Sequence, residues 1–331
     1  MAKNKKSGSK KTKKNKSAKN KGKKQAQQNP LISDNSQVTI TIPGKKAQQA
    51  YEQALKKLAT KVKSQGFRPG KVPPEIAEKI LGKAKVIEHA LEQLLPPAYQ
   101  AAIKKAKKQP LTYPKLVPIK LELGKDWQIK AEFAEKPQVK LGKYQQVVKQ
   151  AKKKGQQALK KLLKEQQQAH KKTSKNKSKA DKKSPPAKPS PQQQKDFTLQ
   201  QIFAALIKTI KPAIAQLLVE QETKQELRKL KTNLKQLNLS LEDYLKKRQL
   251  QPTALTNELA ASALSRLQLE FILAEIAVEQ KITVTKKELQ DKIKALTPDK
   301  PLKWENLSPE QQHYFQDSVL KEKIIDYLWK L

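Results

Sequence analysis

Few side chains in this sequence have the type and spacing needed to make or break bonds. His89, His170 and His313 are the only histidines, far apart along the chain, and there is no cysteine to join them, so no metal site is expected. Glu220 with Glu222, and Glu242 with Asp243, are close carboxylate pairs in lysine-rich helical sequence; they read as partners for lysines, not as an acid and a base. Nine glycines include no phosphate-cradling loop. Trp127, Trp304 and Trp329 read as packing residues of a hairpin and of helices. No cofactor is expected. The chemistry that does stand out is that of binding. GFRPGKVP, Gly66 to Pro73, sets two glycines and two prolines among eight residues, which forbids both helix and strand and leaves a structured loop that carries Phe67, Arg68 and Lys71. A phenylalanine supplies apolar area to a protein groove, and an arginine can grip a phosphate with two hydrogen bonds. The loop exposes Phe67 and two cations, although taken alone the segment reads more readily as a plain turn with Phe67 as its buried anchor.

The elements that would position this loop follow from apolar periodicity. Val38, Ile40 and Ile42 alternate with Gln37, Thr39 and Thr41, the period of a half-buried strand, and Pro43 and Gly44 end it. Ala47, Ala50, Tyr51, Ala54, Leu55, Leu58 and Val62 recur at three- and four-residue steps, a helix with one apolar stripe leading into the loop. Beyond the loop, Glu75 to Leu81 and Val86 to Ala106 read as helices. Leu116 to Leu123 and Trp127 to Phe133 read as two strands joined through Gly124, Lys125 and Asp126. The chain of 331 residues carries 71 Lys and Arg against 30 Asp and Glu, a net charge of +41, so it should adhere to polyanions, with nucleic acid or an anionic membrane surface as candidates. Residues 1–32 are almost devoid of apolar side chains and read as a disordered lysine-rich tail, a solvating arm or an electrostatic tether to RNA. No run of about 18 apolar residues exists and no apolar stretch follows the basic N-terminus, so neither a signal peptide nor membrane insertion is expected. With no cysteine as well, a cytoplasmic location is the default.

The order strand, helix, GFRPGKVP loop, helices, hairpin resembles the N-terminal ribosome-binding domain of the trigger factor family. In that family the loop docks against a large-subunit protein and adjacent ribosomal RNA beside the peptide exit. The resemblance carries this role to Gly66, Phe67, Arg68, Pro69, Gly70 and Lys71, and the surrounding layout turns the reading from plain turn to docking loop. Pro69 departs from the pattern, since many members have a lysine there; one cationic contact is exchanged for a stiffer tip. The family would next add an FKBP-like prolyl isomerase domain. Here ALKKLLKEQQQAHK resembles only its helical lead-in, and the Lys, Ser, Pro and Gln content of Lys171 to Lys195 reads as an extended linker. Lowering a rotation barrier of about 18–20 kcal/mol needs a dry aromatic cleft. Aromatic residues are 5% of the chain, and no isomerase activity is expected.

Helical periodicity returns at Leu199, Ile202, Phe203, Leu206 and Ile210, interrupted by Pro212. Ile214, Leu217, Leu218, Leu227, Leu230, Leu234 and Leu237 line a second helix. QLNLSLEDYLKK, with Ser240 and Asp243 capping, resembles the short-helix turn of the family's C-terminal substrate-binding domain. The long helix Leu255 to Val278, VTKKELQDKI capped by Thr285 and Glu288, and the last helix opened by Ser308, Pro309 and Gln311 extend the match. The fold class expected is α+β and elongated: tail 1–32; ribosome-binding domain 33–144 with a small antiparallel sheet and long helices; lead-in and linker 145–197; all-helical chaperone domain 198–331. The resemblance implies an ATP-independent chaperone that cradles nascent chains on weak apolar patches, with Phe203, Ile210, Leu217, Phe271, Ile276, Phe315 and Tyr327 as candidate contacts, although core packing competes for each. Partners implied are the large ribosomal subunit, unfolded nascent polypeptides and, weakly, a second copy. SurA-like periplasmic chaperones share such helical arms but carry export signals. A basic RNA- or DNA-binding protein remains the alternative, without an RNA-recognition or helix-turn-helix signature to favour it; a prolyl isomerase with a rebuilt pocket is the third reading.

Overall fold

The computed structural model describes residues 30–68, 70–175, 189–296 and 304–331, and in the helix through 166–175 it describes few side chains. Most of the expected tail, Pro69, the His170 side chain and the centre of the Lys171 to Lys195 stretch lie outside the described residues.

Two packed bodies share one chain. The first is built on a three-stranded antiparallel sheet. β2 (Ser36–Ile42) and β3 (Lys115–Lys120) flank the central β4 (Trp127–Phe133), and β1 (Ile32–Ser33) precedes them elsewhere. Alternation along β4 turns Trp127, Ile129, Ala131 and Phe133 inward. The first three meet Ile40 and Ile42 of β2 and the apolar stripe of α1 (Gly44–Ala59), with α2 (Pro74–Leu81) and α3 (Lys83–Ala106) alongside. Alanines at 47, 50 and 54 on α1 face Val86 and Ala90 of α3, and such small side chains let two helices approach closely. Gly44 is required where it stands. A Cβ there would lie 2.9 Å from the Lys125 carbonyl carbon, and its N–H donates to Asp126 at 2.8 Å, tying the β3–β4 turn to the start of α1. Trp127 is buried, with its indole N–H on the Glu122 carbonyl at 3.1 Å.

Three local expectations are corrected. The α1 stripe ends at Ala59, not Val62, because Lys61 and Val62 make short-range bonds to Leu58 and Ala59 that unwind the helix; Val62 is buried as part of the following loop. β3 stops at Lys120, with an irregular register between Pro118 and Lys120, since proline offers no N–H to the ladder. Leu121 and Leu123 pack on the core from outside the strand. Ile214, read as the first residue of a helical stripe, lies in a two-residue strand, β5 (Ile214–Ala215), paired in parallel with β1.

The second body is helical. α4 (Tyr144–Lys175) and α5 (Pro191–Ile210) run antiparallel, crossing at Gly155, where a Cβ would meet Thr198 at 3.3 Å. α5 opens with a capping box at Ser190 and Gln193, several residues ahead of the expected start. α6 (Gln216–Gln236), α7 (Leu241–Arg248), α8 (Pro252–Glu279), α9 (Lys286–Leu296) and α10 (Pro309–Lys330) complete it. Ser240, Thr285 with Glu288, and Ser308 with Gln311 make the expected caps.

The bodies interlock differently from a linear division of the sequence. Leu141, Tyr144, Val148 and Ala151 are buried among Leu199, Ile202, Leu206, Ile272, Ile276, Ile324 and Leu328, so the first half of the expected lead-in is part of the helical core. Leu31 and Ile32, expected in the tail, pack with Ile214, Val219, Leu264 and Leu267. The Asn35 side chain accepts from the Leu217 N–H at 2.8 Å, capping α6 from a distant point of the chain. From Leu31 the chain thus runs on the helical body, crosses to the sheet at Ser36 and returns near Glu135. There the Ser36 hydroxyl and the Lys108 ammonium both donate to the Glu135 carboxylate, which holds that carboxyl below its ordinary range. Lys136 bridges to Glu275 of α8 at 3.0 Å.

Candidate functional site

The loop between α1 and α2 is clamped at both ends by buried valines, Val62 at 7% and Val72 at 5% exposure, both set into the core beneath the helices. Between them the chain makes two tight turns. The Phe67 N–H donates to the Ser64 carbonyl at 3.2 Å with Gly66 at φ 84°, and the Lys71 N–H donates to the Arg68 carbonyl at 3.0 Å with Gly70 at φ 84°. A positive φ at the third position of a four-residue turn is the type II pattern, which glycine adopts without steric cost. The sequence Arg68-Pro69-Gly70-Lys71 is the corresponding proline-glycine preference.

The turns push the loop's side chains outward. Phe67 is 38% exposed, and Arg68 and Lys71 are exposed with it. The anchor of the loop is therefore Val62 and Val72, not Phe67, which removes the plain-turn reading that depended on a buried phenylalanine. Residues 56–71 hold Lys56, Lys57, Lys61, Lys63, Arg68 and Lys71 and not one carboxylate. Beneath, the floor is rigid: Tyr51 of α1 donates to Glu78 of α2 at 3.0 Å, and burial together with that bond pushes the phenol up to about 12. An exposed aromatic ring in a field of uncompensated cations suits a surface that is apolar in one place and phosphate-rich beside it.

The candidate client contacts do not converge. Leu217, Ile276 and Phe315 are buried core residues, with Ile276 fully enclosed, so they present no surface; the same apolar character that suggested client binding is spent on packing. Phe203, Ile210 and Tyr327 are half-buried against one cluster and Phe271 against another. Tyr327 also meets the Tyr144 hydroxyl at 3.2 Å. Among the described residues, the large apolar side chains that do face solvent on the helical body are Leu162, Leu237 at 68%, Val278, Leu296 and Tyr314. Periodicity could not single these out, because Leu237 continues the α6 stripe by spacing yet falls just past the end of that helix. On the first body, Leu111, Tyr113, Leu116 and Ile119 are likewise exposed.

The remaining sequence candidates are structural. His89 meets Glu92 at 2.7 Å and His313 meets Asp317 at 3.1 Å, each within its own helix. Among the described residues no cluster of three metal-ligating side chains forms, and no helix is long and apolar enough to cross a membrane. Glu222 pairs with Arg266, not with a lysine, and Glu220 accepts from Gln216 at 2.7 Å.

Two family models match: one described as bacterial trigger factor protein over residues 24–167, and one described as the trigger factor C-terminus over residues 179–330. The chain belongs to the trigger factor family. The trigger factor of Staphylococcus carnosus (strain TM300) is 39% identical over 107 residues, 32% of this chain and 24% of that protein. That of Streptococcus mutans serotype c is 38% identical over 107 residues, 32% of this chain and 25% of that protein. The aligned segment thus spans about a quarter of the curated relatives it matches. A solved structure described in a study of substrate recognition by the trigger factor chaperone superposes with a TM-score of 0.55 at 14% identity, over 91% of this chain and 98% of that one. That likeness is one of fold: a trigger-factor-like α+β arrangement with a small antiparallel sheet and mostly helical remainder.

Proposed function

We propose that this chain is an ATP-independent, ribosome-associated molecular chaperone of the cytoplasm, which binds nascent polypeptides at the tunnel exit and assists their folding. The observation that carries the reading is the turn-locked loop, with Phe67, Arg68 and Lys71 exposed on a rigid base amid six cations and no carboxylate over residues 56–71, in a member of this family. In this reading Gly66 and Gly70 shape the loop, Pro69 stiffens it, Phe67 enters a groove of a tunnel-exit protein, and Arg68 and Lys71 meet ribosomal RNA. The sheet-bearing body docks, and the helical body offers exposed apolar points such as Leu237 and Val278 to unfolded segments. Each such contact is worth on the order of 1 kcal/mol, weak enough for release once folding buries the segment elsewhere.

Prolyl isomerase activity is not part of the proposal. The two matched family segments end at 167 and resume at 179, leaving only residues 168–178 between them, too short a stretch for a catalytic domain. Weak self-association belongs to the reading.

Co-sedimentation with ribosomes at moderate salt, comparing the natural chain with Phe67→Ala/Arg68→Ala, tests it. Pelleting of the natural chain and retention of the double variant in the supernatant are expected. Equal pelleting of both, released together by salt, would replace the reading with general polyanion binding, the second reading that a net charge of +41 favours.

A further inference from the structure

The two outer strands of the three-stranded sheet differ in how they end it. β3 carries Lys115, Pro118 and Lys120 and an irregular register, the devices that keep an edge from pairing with another chain. β2, Ser36-Gln-Val-Thr-Ile-Thr-Ile42, is seven residues long, rich in β-branched side chains and without charge or proline. Among the described residues β2 pairs with β4 alone, so one whole side of its backbone has no strand partner. Beside that open side lies a groove of about 790 Å³ between β2 and α3. Residues of both parities line it, Val38 and Ile42 together with Thr39 and Thr41, which places the groove along the strand's edge and not over one face. Leu94, Pro97, Ala98, Ala101 and Ala102 of α3 form its apolar far wall. Its only charged lining residues are Lys46 and Lys105.

We infer that the β2 edge and the α3 wall form a second polypeptide-binding site, which takes an extended segment of an unfolded chain as a fourth strand. Main-chain hydrogen bonds to β2 supply sequence-independent affinity, alternate side chains rest on the alanine-lined wall, and a carboxylate in the segment meets Lys46 or Lys105. A second copy of this chain suits the site less well, since it would bring another net charge of +41 and the same two lysines to the contact. The inference rests on the chaperone reading and gives it a substrate class, extended and acidic, at a place distinct from the helical body.

The test uses the full chain and a fluorescein-labelled peptide of alternating valine and threonine between terminal aspartates, with reduced, carboxymethylated α-lactalbumin as an unfolded protein probe. Anisotropy should weaken roughly tenfold for Lys46→Glu/Lys105→Glu, as two attractive exposed pairs become repulsive. Ala101→Glu, an exposed helix position, should weaken it comparably without changing the far-ultraviolet circular dichroism. Hydrogen exchange over residues 36–42 should slow on adding the peptide. Binding of both probes with protection confined to the helical body overturns this site and leaves the chaperone reading standing. Binding of neither probe overturns both. Slowing over 36–42 that appears without peptide, as protein concentration rises, assigns the edge to a second copy and also overturns the inference.

Discussion

Replacing Gly66 and Gly70 together by alanine separates the shape of the proposed docking loop from the stability of the fold. Each glycine sits at φ 84° in its turn. A Cβ would meet nothing within 4 Å at Gly66, and only the Thr60 carbonyl at 3.7 Å at Gly70, so the cost is one of backbone conformation and not of collision. An L-residue held there loses about 1 kcal/mol, and two such residues about 2 kcal/mol. Because the turns lie in the exposed stretch between the clamps Val62 and Val72, the free loop can relax into another conformation and escape most of that cost. Docking must then restore the native turns, so the cost appears in ribosome affinity, where about 2 kcal/mol corresponds to roughly a thirtyfold rise in Kd. Ribosome titration of the fluorescently labelled chain, beside thermal unfolding, measures both quantities. A large loss of affinity with a nearly unchanged Tm is expected. A Tm that falls by several degrees while affinity holds would refute the reasoning, since the ribosome would then not be reading the loop's shape.

Ile276→Ala removes a fully enclosed side chain and should cost about 3 kcal/mol in chemical denaturation, lowering stability without a selective loss of client binding. The Lys323 ammonium, with the Thr285 backbone and hydroxyl, holds the Glu288 carboxyl down to about 2 from an ordinary 4.5. A depressed carboxyl stabilises the fold above its unfolded value and ceases to do so as pH falls through its folded one, so the Tm advantage of the natural chain over Glu288→Gln should shrink between pH 4.5 and 2 and be level below it. Thermal scans across that interval check the sign; an advantage that persists to pH 2 would refute the pairing.

Legibility of the chain in sequence followed how local each cause was. The period of two in Gln37 to Ile42, the α1 stripe and the caps at Ser240, Thr285 and Ser308 depend on neighbours a few residues away, and all of them form. GFRPGKVP was recognisable because two glycines and two prolines restrict the backbone by themselves, whatever surrounds them. The composition of the loop suggested an exposed Phe67 without excluding a buried anchor; Val62 and Val72, which take the core positions instead, decide between the two.

The same division holds for the chaperone surfaces. An apolar side chain on a helix is equally fit to pack or to bind, so sequence could name Leu217, Ile276 and Phe315 but not learn that the core encloses them. Ile214 resembled the start of a helix until Ile32, nearly two hundred positions away, supplied its strand partner. By itself the sequence determined most of the element types, the turn-forming GFRPGKVP loop, the charge and the family, because backbone restriction, periodicity and composition are properties of short stretches. Only tertiary structure decided which side chains are spent on packing, that residues 31–35 and 141–151 complete the helical body, and that among the described residues β2 pairs on one side alone, because each depends on what the folded chain brings alongside.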